Sequence, residues 1–214
     1  MSREVLLWEA LVGAAVKIMH LRKDKVESKD MEEILTFISG ERGQLRMLLF
    51  GMMTDAAEAT LELLRYFDTE AYDSALMTSK IAKLANTLKW AFTDGKAATT
   101  EGTYTSIMLK HIAKQRTIVI RNLTYVIGSD QGIMPEMLQQ ALARMNSFVV
   151  LAVATLRAEF PEWEMLQSFA PFDLSGEPSC GNHTDLRRIA QVFKLDAAAL
   201  VKEYKMVLPN GLQG

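Results

Sequence analysis

The chain has 214 residues and a formal net charge of −2, with 49% hydrophobic and 23% charged residues. That balance excludes a disordered chain, and a charge so close to neutral points to no partner by itself. A chain of this length can bury about 70% of its unfolded surface, enough for one large domain or two small ones.

Thirteen methionines against five prolines favour long helices with irregular apolar packing. The lone cysteine, Cys180, has no partner for an intrachain disulfide, which fits a reducing, intracellular compartment. Helical periodicity dominates, and the fold class it predicts is all-α, an irregular bundle of about eight helices. We read 1–214 as a single all-helical domain, with an N-terminal helical pair at 1–39 and a main long-helix bundle at 41–160. Short C-terminal helices at 161–208 and a tail at 209–214 complete it.

Ser2 can cap a first helix that reaches about Leu21. Its apolar run at 5–19 contains Glu9 and Lys17 and is short for a bilayer, so it reads as a buried core helix and not as a membrane span or signal peptide. Ser28 can cap a second helix, with Gly40 at its C-terminal end. In the third, starting near Glu41, Leu45, Leu49, Met52, Ala56, Ala59, Leu63 and Tyr66 recur in alternating steps of four and three. Such a seam asks for a long neighbour at a shallow crossing angle, and the matching series in the helix opened by Pro135 nominates that partner.

Thr69 can cap a fourth helix that stops at Asp94-Gly95, and residues 96–102 read as a flexible loop. A fifth helix is predicted over 104–127, although its second half is β-branched and Thr117 to Ile120 is the one candidate strand. The sixth runs from Pro135 to the residues before Pro161, and its apolar stretch at 148–156 is again read as core. A short helix over 162–169 precedes an irregular link, and Thr184 and Asp196 cap the last two helices. Trp163, Phe169 and Phe172 are expected to anchor these terminal helices to the bundle.

No catalytic constellation is legible. Cys180 and His183 have the spacing of half a zinc site, but no further Cys or paired His completes it, so neither metal nor cofactor is expected. Asp55, Glu58 and Glu62 share a helix face and read as solvated. There is no Gly-rich phosphate loop and no nucleophile elbow.

One charge asymmetry stands out. Residues 78–121 hold eight basic residues against two acidic ones, a local net charge of +6 in a chain of −2. Lys80, Lys83, Lys110, Lys114, Arg116 and Arg121 are the candidate nucleic-acid residues, tracking a DNA phosphate backbone without reading sequence. That reading would place the chain in the nucleus.

Arg157-x-x-Phe160-Pro161, Trp163-x-x-Leu166-x-x-Phe169, Phe172-Asp173-Leu174 and Phe193-x-Leu195-Asp196, with Leu63-Leu64-Arg65-Tyr66-Phe67 upstream, resemble the helical insertion of hAT-superfamily DNA transposases. In that family the insertion interrupts a ribonuclease-H-like core with three catalytic acids. The resemblance covers the chain from about residue 45 and implies the insertion alone, as a fragment or domesticated remnant, with no catalytic residue carried over. The functional expectation is therefore a non-catalytic interaction or DNA-associated domain. The rivals are an unrelated scaffold or adaptor that binds protein through a helix groove, or a helical enzyme or small-ligand binder without a motif. The partners expected are DNA, another protein or a second copy of the chain, and no membrane.

Overall fold

The computed structural model describes residues 2–21, 26–68, 74–159, 163–172 and 183–207. Among these the fold is mostly helical with one small sheet, as the all-α expectation requires. Helices α1 (Ser2–Leu6), α2 (Trp8–Leu21), α3 (Val26–Ile38), α4 (Gly40–Phe67), α5 (Ser74–Leu88) and α6 (Tyr104–Ile112) lead into a hairpin of β1 (Arg116–Ile120) and β2 (Leu123–Ile127). Helices α7 (Pro135–Ala158), α8 (Trp163–Gln167), α9 (His183–Phe193) and α10 (Ala197–Val207) follow. The chain divides into two compact units, Met1–Ala59 with Thr87–Val149, and Thr60–Asn86 with Val150–Gly214. Helices α4, α5 and α7 each pass from one unit into the other.

In the first unit, Met19, Leu35, Met47, Leu48, Met52, Phe92, Met108 and Ile112 form the fully buried centre. α2 packs on α3 and β1, α1 on α6, and α3 on β2. α4 carries its buried residues at Gln44, Met47, Leu48, Met52, Thr54 and Ala56, while Leu45 and Leu49 of the expected seam are only half-buried. The neighbour met at Gly51 is α6: a Cβ there would lie 3.0 Å from both the Met108 Cβ and the Tyr104 carbonyl oxygen. Gly51 thus allows a close crossing by α6, where the sequence suggested a local weakness.

The expected fifth helix stops at Ile112, and 116–127 form an antiparallel hairpin with Ile120 paired to Leu123. β-branched residues, which lose side-chain freedom in a helix and fit a pleated surface, fill both halves. The two-residue turn needs positive φ at both positions, and Arg121 and Asn122 adopt 51° and 66°. At the far end Gly128 has φ 76°, and a Cβ there would sit 2.6 Å from the Ile112 carbonyl oxygen. That same carbonyl accepts a hydrogen bond from the Ser129 amide at 2.7 Å.

Residues 96–102, expected as a flexible loop, include a 3-10 turn at Lys96–Ala98 with Ala97 fully buried. The Thr103 hydroxyl donates to the Ala97 carbonyl, and in turn accepts from the Ser106 amide to cap α6. Asp55 completes that cap, accepting from the amides of Tyr104 and Thr105 at 2.8 Å each and from the Thr105 hydroxyl at 2.6 Å. The acidic face read as solvated is therefore a set of tethers, since Glu62 also binds Lys80 and Lys83 and the Tyr104 hydroxyl donates to Glu58.

In the second unit, α9 packs on α10 and α8. Leu186 and Tyr204 form its buried centre, with Phe172, Leu200 and Val201 against them. The Phe172 ring meets Tyr204 edge-on at 5.8 Å, Phe169 meets Phe193 at 6.1 Å, and the Tyr204 hydroxyl donates to the Pro171 carbonyl. Phe169 and Phe172 thus join the terminal helices to one another, while the side chain of Trp163 lies outside the described residues. Asp196 caps α10 by accepting from the Ala198 and Ala199 amides. The capping roles assigned to Thr69 and the zinc-like position of Cys180 also fall outside the described residues.

Candidate functional site

The surface that departs most from a water-soluble helix is the first one. Leu7 donates its amide to the Arg3 carbonyl and accepts from the Leu11 amide, so α1 and α2 continue as one rod of residues 2–21. Val5, Val12, Ala15 and Met19 are buried on one face, with Trp8 half-buried beside Phe50. A second apolar series, Leu7, Leu11, Ala14, Ile18 and Leu21, follows the same four-and-three spacing one stripe away. Leu6, Leu7, Leu11 and Leu21 remain 59, 56, 44 and 72% exposed, and Gly13 has nothing near its missing Cβ. This corrects the reading of 5–19 as a buried core helix, because the molecule buries one stripe and leaves the other in water. A helix apolar on all sides is stable in water only when every side is covered.

α7 departs from expectation in the same way. Val149 is buried, but Phe148, Val150 and Leu151 are exposed, the last two by 63 and 66%, so 148–156 is not core. Among the described residues α7 is the helix long and apolar enough to cross a membrane by length and composition alone.

The six basic residues nominated for nucleic acid fall into separate places, and each has a partner. Lys80 and Lys83, in the second unit, both hold the Glu62 carboxylate, at 2.6 and 2.9 Å, and their hydrogen bonds lower its pKa to about 2. Lys110 pairs with Glu101 at 3.2 Å in the first unit. Lys114 and Arg116 converge on Glu9 of the N-terminal rod, and the Arg116 guanidinium, more than Lys114, holds that carboxyl below the usual range. Arg121 donates to the Met19 carbonyl near the end of α2 and to the Ser28 hydroxyl of α3, both at 3.0 Å. Ser28, expected to cap α3, is instead buried within it.

His111 joins the Glu9 cluster, with Nδ1 3.5 Å from the carboxylate but without a hydrogen bond of good geometry. Its burial pushes the imidazole pKa down and outweighs the pull of Glu9. The Tyr125 hydroxyl is likewise buried without a hydrogen bond of good geometry, and burial raises its pKa. An open groove of about 670 Å³ lies along Lys29, Glu32, Glu33, Thr36, Phe37 and Arg46, with the Arg46 guanidinium 4.2 Å over the Phe37 ring. The second unit has a cavity of about 110 Å³ lined by Ile81, Ala85, Asn86, Val153, Leu156 and Gln167, among others. Neither gathers a nucleophile and a base, and among the described residues no group of three or more His, Cys, Asp or Glu could hold a metal.

Sequence reasoning missed the exposed stripe because it counted the apolar run of the first helix as a single face. The series from Leu7 to Leu21, flanked by Ala10 and Gly13, is the signal that was available. No protein-family model, curated protein or solved structure matches the chain.

Proposed function

We propose that this chain is a non-catalytic helical interaction domain that works through apolar helix faces held at its surface. The observation that carries this reading is the second stripe of residues 2–21, whose three leucines, Leu7, Leu11 and Leu21, stay exposed while the first stripe is buried. Apolar surface of this kind is retained against a solubility cost where another macromolecule covers it. The resemblance to a transposase insertion fits the same role, since such a segment contributes contacts and no catalytic acid.

The DNA-associated reading draws less support. Phosphate contacts by Lys110, Lys114 or Arg116 would displace carboxylates already in place. Such displacement subtracts from the gain of counterion release.

The test is a photo-crosslinking amino acid at position 11, with position 139 on the polar surface of α7 as control, followed by identification of the crosslinked peptides. A discrete crosslink from 11 and none from 139 is expected. No crosslink from 11 refutes the reading. Salt-dependent binding to DNA of any sequence, lost in a Lys110/Lys114/Arg116 alanine variant, would restore the DNA-associated one.

A further inference from the structure

The small cavity of the second unit is walled by α5, α7 and α8. Its inner wall is apolar, with Ile81 buried and Ala85, Val153 and Leu156 half-buried. Its rim is polar, made by the exposed side chains of Asn86, Arg157 and Gln167. Among the described residues these three head groups have no hydrogen bond or ion pair, and no acidic residue lines the cavity. We infer that this cavity binds a short-chain carboxylate, with its tail on the apolar wall and its charge at Arg157. The site lies in the other unit from the rod of residues 2–21 and stands independently of the interaction-domain reading.

The make-up of the lining sets the ligand class. A pocket of apolar walls with a few convergent polar groups orients a ligand by its head and gains affinity from its tail. Arg157 is the single charged residue of the lining, and a guanidinium meets a carboxylate with two parallel N–H donors. The carboxamides of Asn86 and Gln167 bring further N–H donors for the remaining lone pairs. A cationic ligand would meet Arg157 with no carboxylate in the lining to offset it. A bare phosphate would leave the apolar wall uncovered and lose the gain of burying it.

The volume sets the length. The cavity holds about 110 Å³, well below the about 300–1,000 Å³ of a drug-sized site and equal to roughly four waters at about 30 Å³ each. A tail of about four carbons fills that space, which makes pentanoate the probe of choice. A ligand of so few atoms binds with a Kd on the order of a millimolar.

The test is a methyl NMR titration of the full chain with sodium pentanoate to about 20 mM at constant sodium concentration, a range that brackets millimolar affinity. Saturable shifts centred on the methyl groups of Ile81, Ala85 and Val153 are expected. Acetate, which lacks the tail, and pentanamide, which lacks the charge, should each bind at least about 10-fold more weakly. Arg157→Gln should weaken pentanoate binding at least about 10-fold. Ala85→Leu, which fills the cavity, should abolish the shifts at Ile81 and Val153. Circular dichroism checks both folds. If Ala85→Leu does not fold, Ala82→Leu, at an exposed position of the same lining, takes its place.

Pentanamide binding as tightly as pentanoate, or undiminished pentanoate binding by Arg157→Gln, overturns the carboxylate head group. Shifts that stay linear with concentration, or that persist in the filled cavity, overturn the site itself. Either failure leaves the crosslink at position 11 to decide the interaction-domain reading alone.

Discussion

Asp55 offers the sharpest test of the internal architecture. It is half-buried on α4 and satisfies three donors at the start of α6, including the amide and hydroxyl of Thr105, which is fully buried. Asp55→Ala leaves those donors without a partner and out of reach of water. An N-cap loss costs about 1 kcal/mol and a stranded buried donor about 1–3 kcal/mol, so with partial relaxation the sum is about 3 kcal/mol. Asp55→Asn keeps one acceptor oxygen and should lose about half as much. For a chain of this size about 3 kcal/mol corresponds to a fall in Tm of about 6–12 °C. Denaturant melts give the free energy, and amide hydrogen exchange at Tyr104 and Thr105 locates it, because both should lose protection before the hairpin does. An Asp55→Ala variant within about 0.5 kcal/mol of wild type, the range of an ordinary surface substitution, would refute the capping argument.

Gly128→Ala places a Cβ 2.6 Å from the Ile112 carbonyl oxygen at positive φ, and should cost about 3 kcal/mol or more, read by denaturant melts. Arg121→Ala removes the bonds to Met19 and Ser28 and should cost about 1–3 kcal/mol, with faster amide exchange at the end of α2; Arg121→Lys, a point charge in place of a fork, should recover only part. Glu62 has its folded pKa depressed from 4.5 to about 2, so its contribution is full above pH 4.5 and lost as pH falls toward 2. Acid titration of stability should therefore show wild type converging on Glu62→Gln at the low end, with a smaller gap in high salt because the pair is half-exposed.

The elements that sequence read well are those fixed by local chemistry. Pro135 opened α7, Asp196 capped α10, and Asp94-Gly95 closed the turn after α5, because each depends on a backbone preference carried by the residue itself. The hairpin was misread because residues 104–127 contain a true helix followed without proline or glycine by β-branched residues. The turn is made by Arg121 and Asn122, and an arginine at positive φ has no sequence signature. What holds it there is tertiary, since its guanidinium is fixed by a carbonyl of α2 and a hydroxyl of α3, 102 and 93 residues away in the chain.

The same distinction explains why the basic segment promised more than it delivers. Charge counted along a sequence is blind to partners that arrive from elsewhere, and Glu9 and Glu62 both lie outside residues 78–121. Of the eight basic residues counted there, Lys80, Lys83, Lys110, Lys114 and Arg116 meet carboxylates and Arg121 meets neutral oxygens. The local +6 therefore overstates the field the folded surface presents. Apolar stripes fail in the opposite direction. A seam in a sequence states that a partner is required, and only the fold tells whether the chain supplies it. For Val5, Val12, Ala15 and Met19 it does, whereas Leu7, Leu11 and Leu21 stay largely uncovered. The demand for a partner written into residues 2–21 is half met within the chain, and the unmet half is what makes this helix the place to look for function.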